Sequence, residues 1–273
     1  MDLRQCNETL RDFALLIAEQ RCGEWQGELK TGVDLGTTNI VLAVADEAGR
    51  PVAGISYPSV VVRDGIVVDY VGAVRVVREL KARLESMLGR RLERAACAIP
   101  PGILPGNAQA IGNVVKAADF MLTNIVDEPT AAAAVLGLNS GAVVDVGGGT
   151  TGISILQEGQ VIFSGDQPTG GHHMSLVLAG AMGCSLEEAE AYKTDPTREA
   201  DVFPVIRPVI DKMAAIVKNY LCGYEVETVY VVGGACSFTL FAQVFADNIG
   251  LPVIKPAEPL LVTPLGIALN CLL

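Results

Sequence analysis

The sequence predicts an α/β chain of two related lobes that face each other across a cleft. Three observations predict it. Short apolar strands alternate with longer amphipathic helices along most of the chain. The stretch "VDLG-TTNIVLAV", from Val33, superimposes on "VDVGGGTTGISIL", from Val144, so one strand–Asp–Gly/Thr turn–strand unit occurs twice. Half of the 273 residues are hydrophobic and only 19% are charged, enough apolar material for two cores that share an interface.

Residues 3–21 read as an amphipathic helix. Leu3, Leu10, Phe13, Ala14 and Ile17 fall on one face, and Asp2, Arg4, Glu8, Arg11, Asp12 and Glu19 lie off it. With the linker "CGEWQGELK" this makes a unit of residues 1–29. A first lobe follows over residues 30–140. It opens with a strand ending near Asp34, a Gly/Thr turn, the strand "NIVLAVAD" and the hairpin turn "EAGR". Short strands flank an Asp64–Gly65 turn, and "AVRVVRELKARLESMLGR" is helical. The buried strand "AACAIPPG" is stopped by Pro100, Pro101 and Gly102. "NAQAIGNVVKAADF" reads as a helix with Asn107 as its N-cap. "NIVDEPTAAAAVLG" is a strand and then a helix with Pro129 in its first turn.

The second lobe, residues 141–259, repeats the opening unit and continues through the helices "SLVLAGAMG", "SLEEAEAYK" and "FPVIRPVIDKMAAIVKNYLCG". The strand "TVYVVGGACS" ends in a glycine turn before the helix "FTLFAQVFADNIG". The last helix, "TPLGIALNCLL", returns the chain to the first lobe over residues 260–273.

Composition excludes several functions. A net charge of −11 repels phosphate backbones, so no nucleic acid is expected as partner. A single nucleotide stays open, because Mg²⁺ and backbone N–H groups bind phosphates without net protein charge. No apolar run reaches membrane-span length, and none at the N-terminus resembles a signal region. Seven cysteines without a CxxC, and only two histidines, argue against zinc or a disulfide framework and for a reducing cytoplasm.

The duplicated turn carries the chemistry. Glycines let backbone N–H groups approach phosphate oxygens closely, and two such turns from opposite lobes would grip a polyphosphate from both sides. Asp34 and Asp145, each at the end of a strand, are placed to hold Mg²⁺ directly or through water. Thr37, Thr38, Thr150 and Thr151 add hydroxyl donors. Each feature also has a plainer reading: the aspartates as turn formers, His172 and His173 as exposed residues at a helix start, and Cys236 as a small packed residue.

In order along the chain these motifs resemble those of the actin-like ATPase superfamily, which includes Hsp70 chaperones and actin-like filament proteins. "GVDLGTTN" is similar to its first phosphate motif, and "VVDVGGGTTGIS" to its second. "NIVDEPTAAAAVLG" and "TPLGIAL" resemble its two connecting segments, "VYVVGGACSF" its adenosine motif, and "CAIPPG" a strand that enters the Hsp70-type core. The resemblance covers residues 31–273. Within the superfamily, "GGHHMSLVLAG" beside "LEEAEAYK" resembles the ethanolamine-utilisation protein J family, chaperone-like proteins encoded among enzymes of bacterial microcompartments.

The resemblance implies two RNase-H-like lobes with reduced outer subdomains and ATP or ADP, with Mg²⁺, between them. It assigns Asp34 and Asp145 to the metal through water, and Glu128 to the attacking water. Gly36, Thr37 and Thr38 would cradle phosphates from the first lobe, and Gly147, Gly148, Gly149 and Thr150 from the second. Glu190, Lys193, Gly233, Gly234 and Ala235 would contact the nucleoside. It implies in-line attack of water on the γ-phosphate.

Three departures imply slow hydrolysis, or binding without turnover. Gly152 stands where an acidic residue usually adds to the ion shell. No Hsp70-type catalytic lysine segment is present, Arg75 being the nearest basic candidate, and Phe238 stands where an arginine usually stacks on adenine. The expected role is a nucleotide-dependent chaperone acting on enzymes or shell proteins of a microcompartment in the cytoplasm. A nucleotide-regulated filament or scaffold protein and a small-molecule kinase are the alternatives. The N-terminal helix is expected either to pack on the domain or to dock on a partner.

Overall fold

The computed structural model of the chain describes residues 3–63 and 65–273; Asp2 and Asp64 lie outside the described residues. The first sheet contains β1 (Leu29–Leu35), β2 (Asn39–Asp46), β3 (Pro51–Pro58), β6 (Arg94–Ile99) and β7 (Met121–Asp127), in the order β3-β2-β1-β6-β7. Between β3 and β6 lie the hairpin strands β4 (Val62–Arg63) and β5 (Ile66–Val67) and the helix α2 (Tyr70–Leu88). The second sheet contains β8 (Gly141–Val146), β9 (Thr151–Gln157), β10 (Gln160–Gln167), β11 (Val229–Val232) and β12 (Val253–Ile254), in the order β10-β9-β8-β11-β12.

The two sheets share one topology. In each, the first three strands form an antiparallel meander and the last two add in parallel on the other side of the first strand. The central strand of the second sheet, β8, is buried at every residue, which is why it reads as a near-continuous apolar run. Asp34 and Asp145 lie near the carboxyl ends of the two central strands, paired across the hairpin with Val41 and Gly152.

Two helices separate the sheets: α4 (Glu128–Leu136) and α9 (Pro259–Leu269). Their small residues set the spacing. A Cβ on Gly266 would lie 2.0 Å from the carbonyl oxygen of Ala131, and one on Gly32 would lie 2.4 Å from the amide nitrogen of Ala268. Only bare backbone allows α9 to lie against α4 and β1 at once. Ala132, Ala133, Val135 and Leu136 of α4 share one core with Leu261, Val262, Leu265 and Ala268 of α9, and with residues from both sheets. Outside this layer, α3 (Pro105–Ala117) flanks the first sheet. The helices α5 (Gly171–Met182), α6 (Leu186–Thr194), α7 (Glu199–Leu221) and α8 (Phe241–Ile249) belong to the second lobe.

The first helix, α1 (Leu3–Ala18), belongs to the core. Its buried residues are Cys6, Leu10, Phe13 and Leu16, a face turned slightly from the expected one; Leu3, Ala14 and Ile17 are half-buried at its margin. Phe13 lies over Gly54 of β3, where a Cβ would come within 2.5 Å of the ring. Asn7 Oδ1 accepts a hydrogen bond of 2.7 Å from the Ala257 amide, tying α1 to the segment that leads into α9.

Several boundaries differ from the sequence reading. α3 begins at Pro105, after Leu104, and not behind Asn107. Proline at the first helical position carries a pre-set φ and no N–H to satisfy, so no side-chain cap is required. α2 begins at Tyr70 because Asp69 caps it, accepting from the Gly72 amide at 2.8 Å. α7 begins at Glu199, upstream of Phe203, and α9 begins at Pro259, upstream of "TPLGIAL".

Because Phe13 is fully buried, Phe13→Ala is expected to cost about 3–5 kcal/mol of stability in urea unfolding. A helix merely resting on the surface would lose under about 1 kcal/mol.

Candidate functional site

The β1–β2 turn is tight: a Cβ on Gly36 would lie 2.7 Å from the carbonyl oxygen of Asn39. The matching β8–β9 turn is closed by the Gly147 amide donating to the Thr150 carbonyl at 3.0 Å. Its other face is held by the start of α5. The Gly171 amide donates to the Gly147 carbonyl at 2.9 Å and the His172 amide to the Gly148 carbonyl at 2.7 Å. The two turns meet, since a Cβ on Gly148 would lie 2.8 Å from Thr38 Cγ2 and 3.3 Å from Thr37 Cβ. Glycine is what leaves room between them.

A cavity of about 390 Å³ opens at this meeting point. It is lined by Asp34, Gly36, Thr37 and Thr38 from the first turn and by Asp145, Gly147, Gly148, Gly149 and Thr150 from the second. Glu128 enters from the start of α4, Glu190 and Lys193 from α6, and Gly233, Gly234 and Ala235 from the turn after β11. The residues that the resemblance assigns to the nucleotide and metal therefore face one space; Thr151 does not, its buried hydroxyl donating instead to the Thr169 carbonyl at 2.6 Å. Arg75 does not; it is exposed and borders a separate surface hollow on α2.

The floor of the cavity is acidic. Among the described residues, Asp34, Glu128 and Asp145 form no ion pair. Burial, and then the charge of Asp145, push the Asp34 carboxyl up to about 7. Burial pushes Asp145 up to about 6, against a hydrogen bond from Thr263 that pulls it down. Glu128 is held well above the ordinary carboxylate range by burial and by the charges of Asp145, Asp34, Asp166 and Asp127. Such a cluster calls for a cation. Among the described residues no three His, Cys, Asp or Glu side chains converge as direct metal ligands. The set therefore fits a hydrated ion held through water, the habit of Mg²⁺, with the glycine cradle above it for phosphates.

Asp145 is held firmly. Thr263 of α9 donates to its Oδ2, and the Gly233 backbone passes beneath its Oδ1, where a Cβ would come within 2.4 Å. Gly233 also has a φ of +92°, which only glycine adopts readily. Lys193 is mostly buried and donates to Glu190 Oε2 at 2.7 Å, Ser175 Oγ at 2.8 Å and the Gly171 carbonyl at 2.9 Å. The Glu190–Lys193 pair thus braces α6 against the helix start that carries the second turn. His173 Nδ1 accepts from the Gly170 amide at 3.3 Å, and His172 is exposed, in keeping with a helix-start role. Cys236 is fully buried, its Sγ on the Gly233 carbonyl at 3.0 Å. Phe238 borders the cavity and packs on Phe203, their ring centroids 6.0 Å apart. Sequence reasoning missed Thr263 as a site residue, although it opens the quoted "TPLGIAL" segment.

Comparison with known proteins fits this geometry. The Hsp70 protein family model matches residues 69–191. The chain is 42% identical to the ethanolamine utilization protein EutJ of Escherichia coli strain K12, over 93% of this chain and 90% of that protein. The chain belongs to the EutJ family. The crystal structure of EutJ from Carboxydothermus hydrogenoformans superimposes with a TM-score of 0.93 at 48% identity, covering 98% of this chain and 99% of the other. MreB 5 of Spiroplasma citri, solved bound to AMPPNP, shares the fold, with a TM-score of 0.73 at 18% identity over 88% of this chain and 95% of that one. The EutJ family fold is thus the actin-like ATPase fold, as the duplicated sheets indicate. Among the described residues no helix is long and apolar enough to cross a membrane.

The raised carboxyls make stability depend on pH. Asp34 is near 7 when folded and 3.8 in its ordinary state, so between those values the folded chain binds more protons than the unfolded chain. Its contribution is therefore lost as pH rises from about 4 to about 7, at up to about 1.4 kcal/mol per pH unit. In EDTA, Asp34→Asn should be more stable than wild type at pH 8, with the gap narrowing toward pH 4. Thermal unfolding across that range checks it; a gap independent of pH would contradict the electrostatic assignment.

Proposed function

We propose that the cleft binds ATP or ADP with Mg²⁺, hydrolyses ATP slowly, and couples nucleotide state to lobe closure in a chaperone-type role. The observation that carries this is the contact of Gly148 with Thr37 and Thr38, two matched glycine turns from opposed sheets above an uncompensated carboxylate floor. Phosphates would lie between the turns, held by backbone N–H groups and by the hydroxyls of Thr37, Thr38 and Thr150. Bound Mg²⁺ would supply charge neutralisation for the phosphate oxygens, with Asp34 and Asp145 holding its waters. Glu128, which burial holds protonated in the empty cleft, would be ionised by the entering cation. It would then orient the attacking water and accept its proton as the γ-phosphorus bonds to that water and its bond to the bridging oxygen breaks, releasing ADP. Glu190, Lys193 and the Gly233–Ala235 turn would face the nucleoside.

Slow turnover is the reading because, among the described residues, the one lysine that lines the cavity, Lys193, is already engaged by Glu190, Ser175 and the Gly171 carbonyl. Family membership supports a setting in ethanolamine utilisation. The resemblance described above supports enzymes or shell proteins of a cytoplasmic microcompartment as clients.

Mg²⁺–ATP at a hundredfold excess over its dissociation constant should stabilise the wild type by about 2.7 kcal/mol. Gly148→Val should abolish the shift, because its side chain would press on Thr38. Phosphate release should stay below about 1 per second. No shift in the wild type, or an equal shift in Gly148→Val, would overturn the nucleotide reading. For the chaperone role, ATP and the wild-type protein should suppress heat-induced light scattering by purified ethanolamine-utilisation enzymes, and Gly148→Val should not.

A further inference from the structure

Two consecutive residues of α9 touch different lobes. A Cβ on Gly32 of β1 would lie 2.8 Å from the Pro264 carbonyl oxygen, so Pro264 rests on the first sheet. Thr263, immediately before it, is buried, lines the cleft cavity and donates through its hydroxyl to Asp145 Oδ2 on the second sheet. A threonine inside a helix can donate back to the carbonyl four residues earlier. Here that carbonyl belongs to Pro259 and accepts from the Gly233 amide at 2.9 Å, and the hydroxyl goes across to Asp145 instead. The start of α9 is therefore joined to the second lobe twice, at Gly233 and at Asp145.

These contacts bracket the Asp145 carboxylate. Oδ2 takes the Thr263 hydroxyl, and the Gly233 backbone lies against Oδ1, where a Cβ would come within 2.4 Å. Among the described residues no other side chain donates to this carboxylate. An ionised carboxylate offers about four lone-pair sites, so one hydroxyl leaves others for water. The donor is itself stiff, because the branch at the threonine Cβ leaves few rotamers open in a helix. The orientation of Asp145 is thus set from a helix whose next residue is seated on the opposite sheet, which carries Asp34.

We propose that Thr263 is a positioning residue of the cleft: from a helix anchored on the first sheet, its hydroxyl holds the Asp145 carboxylate of the second sheet in the orientation that receives the water shell of the cation. This rests on the Mg²⁺–nucleotide reading given above. The cation would then be shared between Asp34 and Asp145, and the hydroxyl keeps the second of these from turning away. Cation affinity becomes dependent on how α9 sits between the lobes. Partners that orient the carboxylates of a metal site change metal affinity by about 10–100-fold when removed.

The test is thermal stabilisation by saturating ADP over a Mg²⁺ titration, each protein measured against its own unfolding temperature in EDTA. Thr263→Val keeps the shape of the side chain and loses the hydroxyl; Thr263→Ser keeps the hydroxyl and loses the methyl group. The Mg²⁺ concentration giving half of the shift should rise about tenfold in Thr263→Val. In Thr263→Ser it should stay at the wild-type value, even where the lost methyl lowers the unfolding temperature. An unchanged midpoint in Thr263→Val, or an equal rise in both variants, would reduce Thr263 to packing and overturn the proposal while leaving the nucleotide reading intact. Should Thr263→Val not fold, Thr263→Ala takes its place against Thr263→Ser, with the same outcomes. A wild type whose unfolding temperature is indifferent to ADP and Mg²⁺ would overturn the nucleotide reading and this proposal with it.

Discussion

The structure depends on three carboxylates gathered where two sheets meet, none of them in an ion pair among the described residues. Asp34 and Asp145 sit near the carboxyl ends of the two central strands, and Glu128 follows directly on β7. Ligands of open α/β sheets collect at the carboxyl ends of strands, and here two such ends point into one space. Holding these groups together costs free energy in the empty protein, which burial makes worse by raising their affinity for protons. In the proposed function, a cation entering with its phosphate ligand would offset that cost. Binding energy and fold strain are therefore located at the same atoms.

The helix layer makes that charge a matter for the whole molecule. α9 lies against β1 through Gly32 and against α4 through Gly266, yet its Thr263 donates to Asp145 of the second sheet. α4 begins with Glu128 and packs along α9 with residues from both sheets. A change in charge at Asp145 or Glu128 thus acts on helices that touch both lobes. Close-packed layers of this kind shift as units instead of deforming continuously, so this is the route by which the proposed nucleotide state would be coupled to lobe closure.

Much of this was legible in the chain because the chemistry is local. A strand ending in aspartate followed by glycines and threonines carries its meaning within eight or so residues, and its repetition at Asp145 announced a second lobe. What could not be read depends on partners distant in sequence. The buried face of α1 is set by Gly54 and by the position of α9, which is why Cys6 and Leu16 were not expected inside. Thr263 gains its role only from Asp145, more than a hundred residues upstream. The start of α3 was misplaced for a different reason. Asn107 carries a capping side chain, but Pro105 pre-sets the backbone two residues earlier and prevails.

Carboxylates that hold protons in the empty cleft should give them up when the cation binds. Calorimetric titration with preformed Mg²⁺–ADP at pH 6.5, in two buffers of different ionisation enthalpy, counts the protons that leave on binding. Net release on the order of one proton is expected, since burial pushes Asp34 and Asp145 up to about 7 and about 6 in the empty cleft and both must ionise to hold the ion. Binding heats that are the same in both buffers would contradict it.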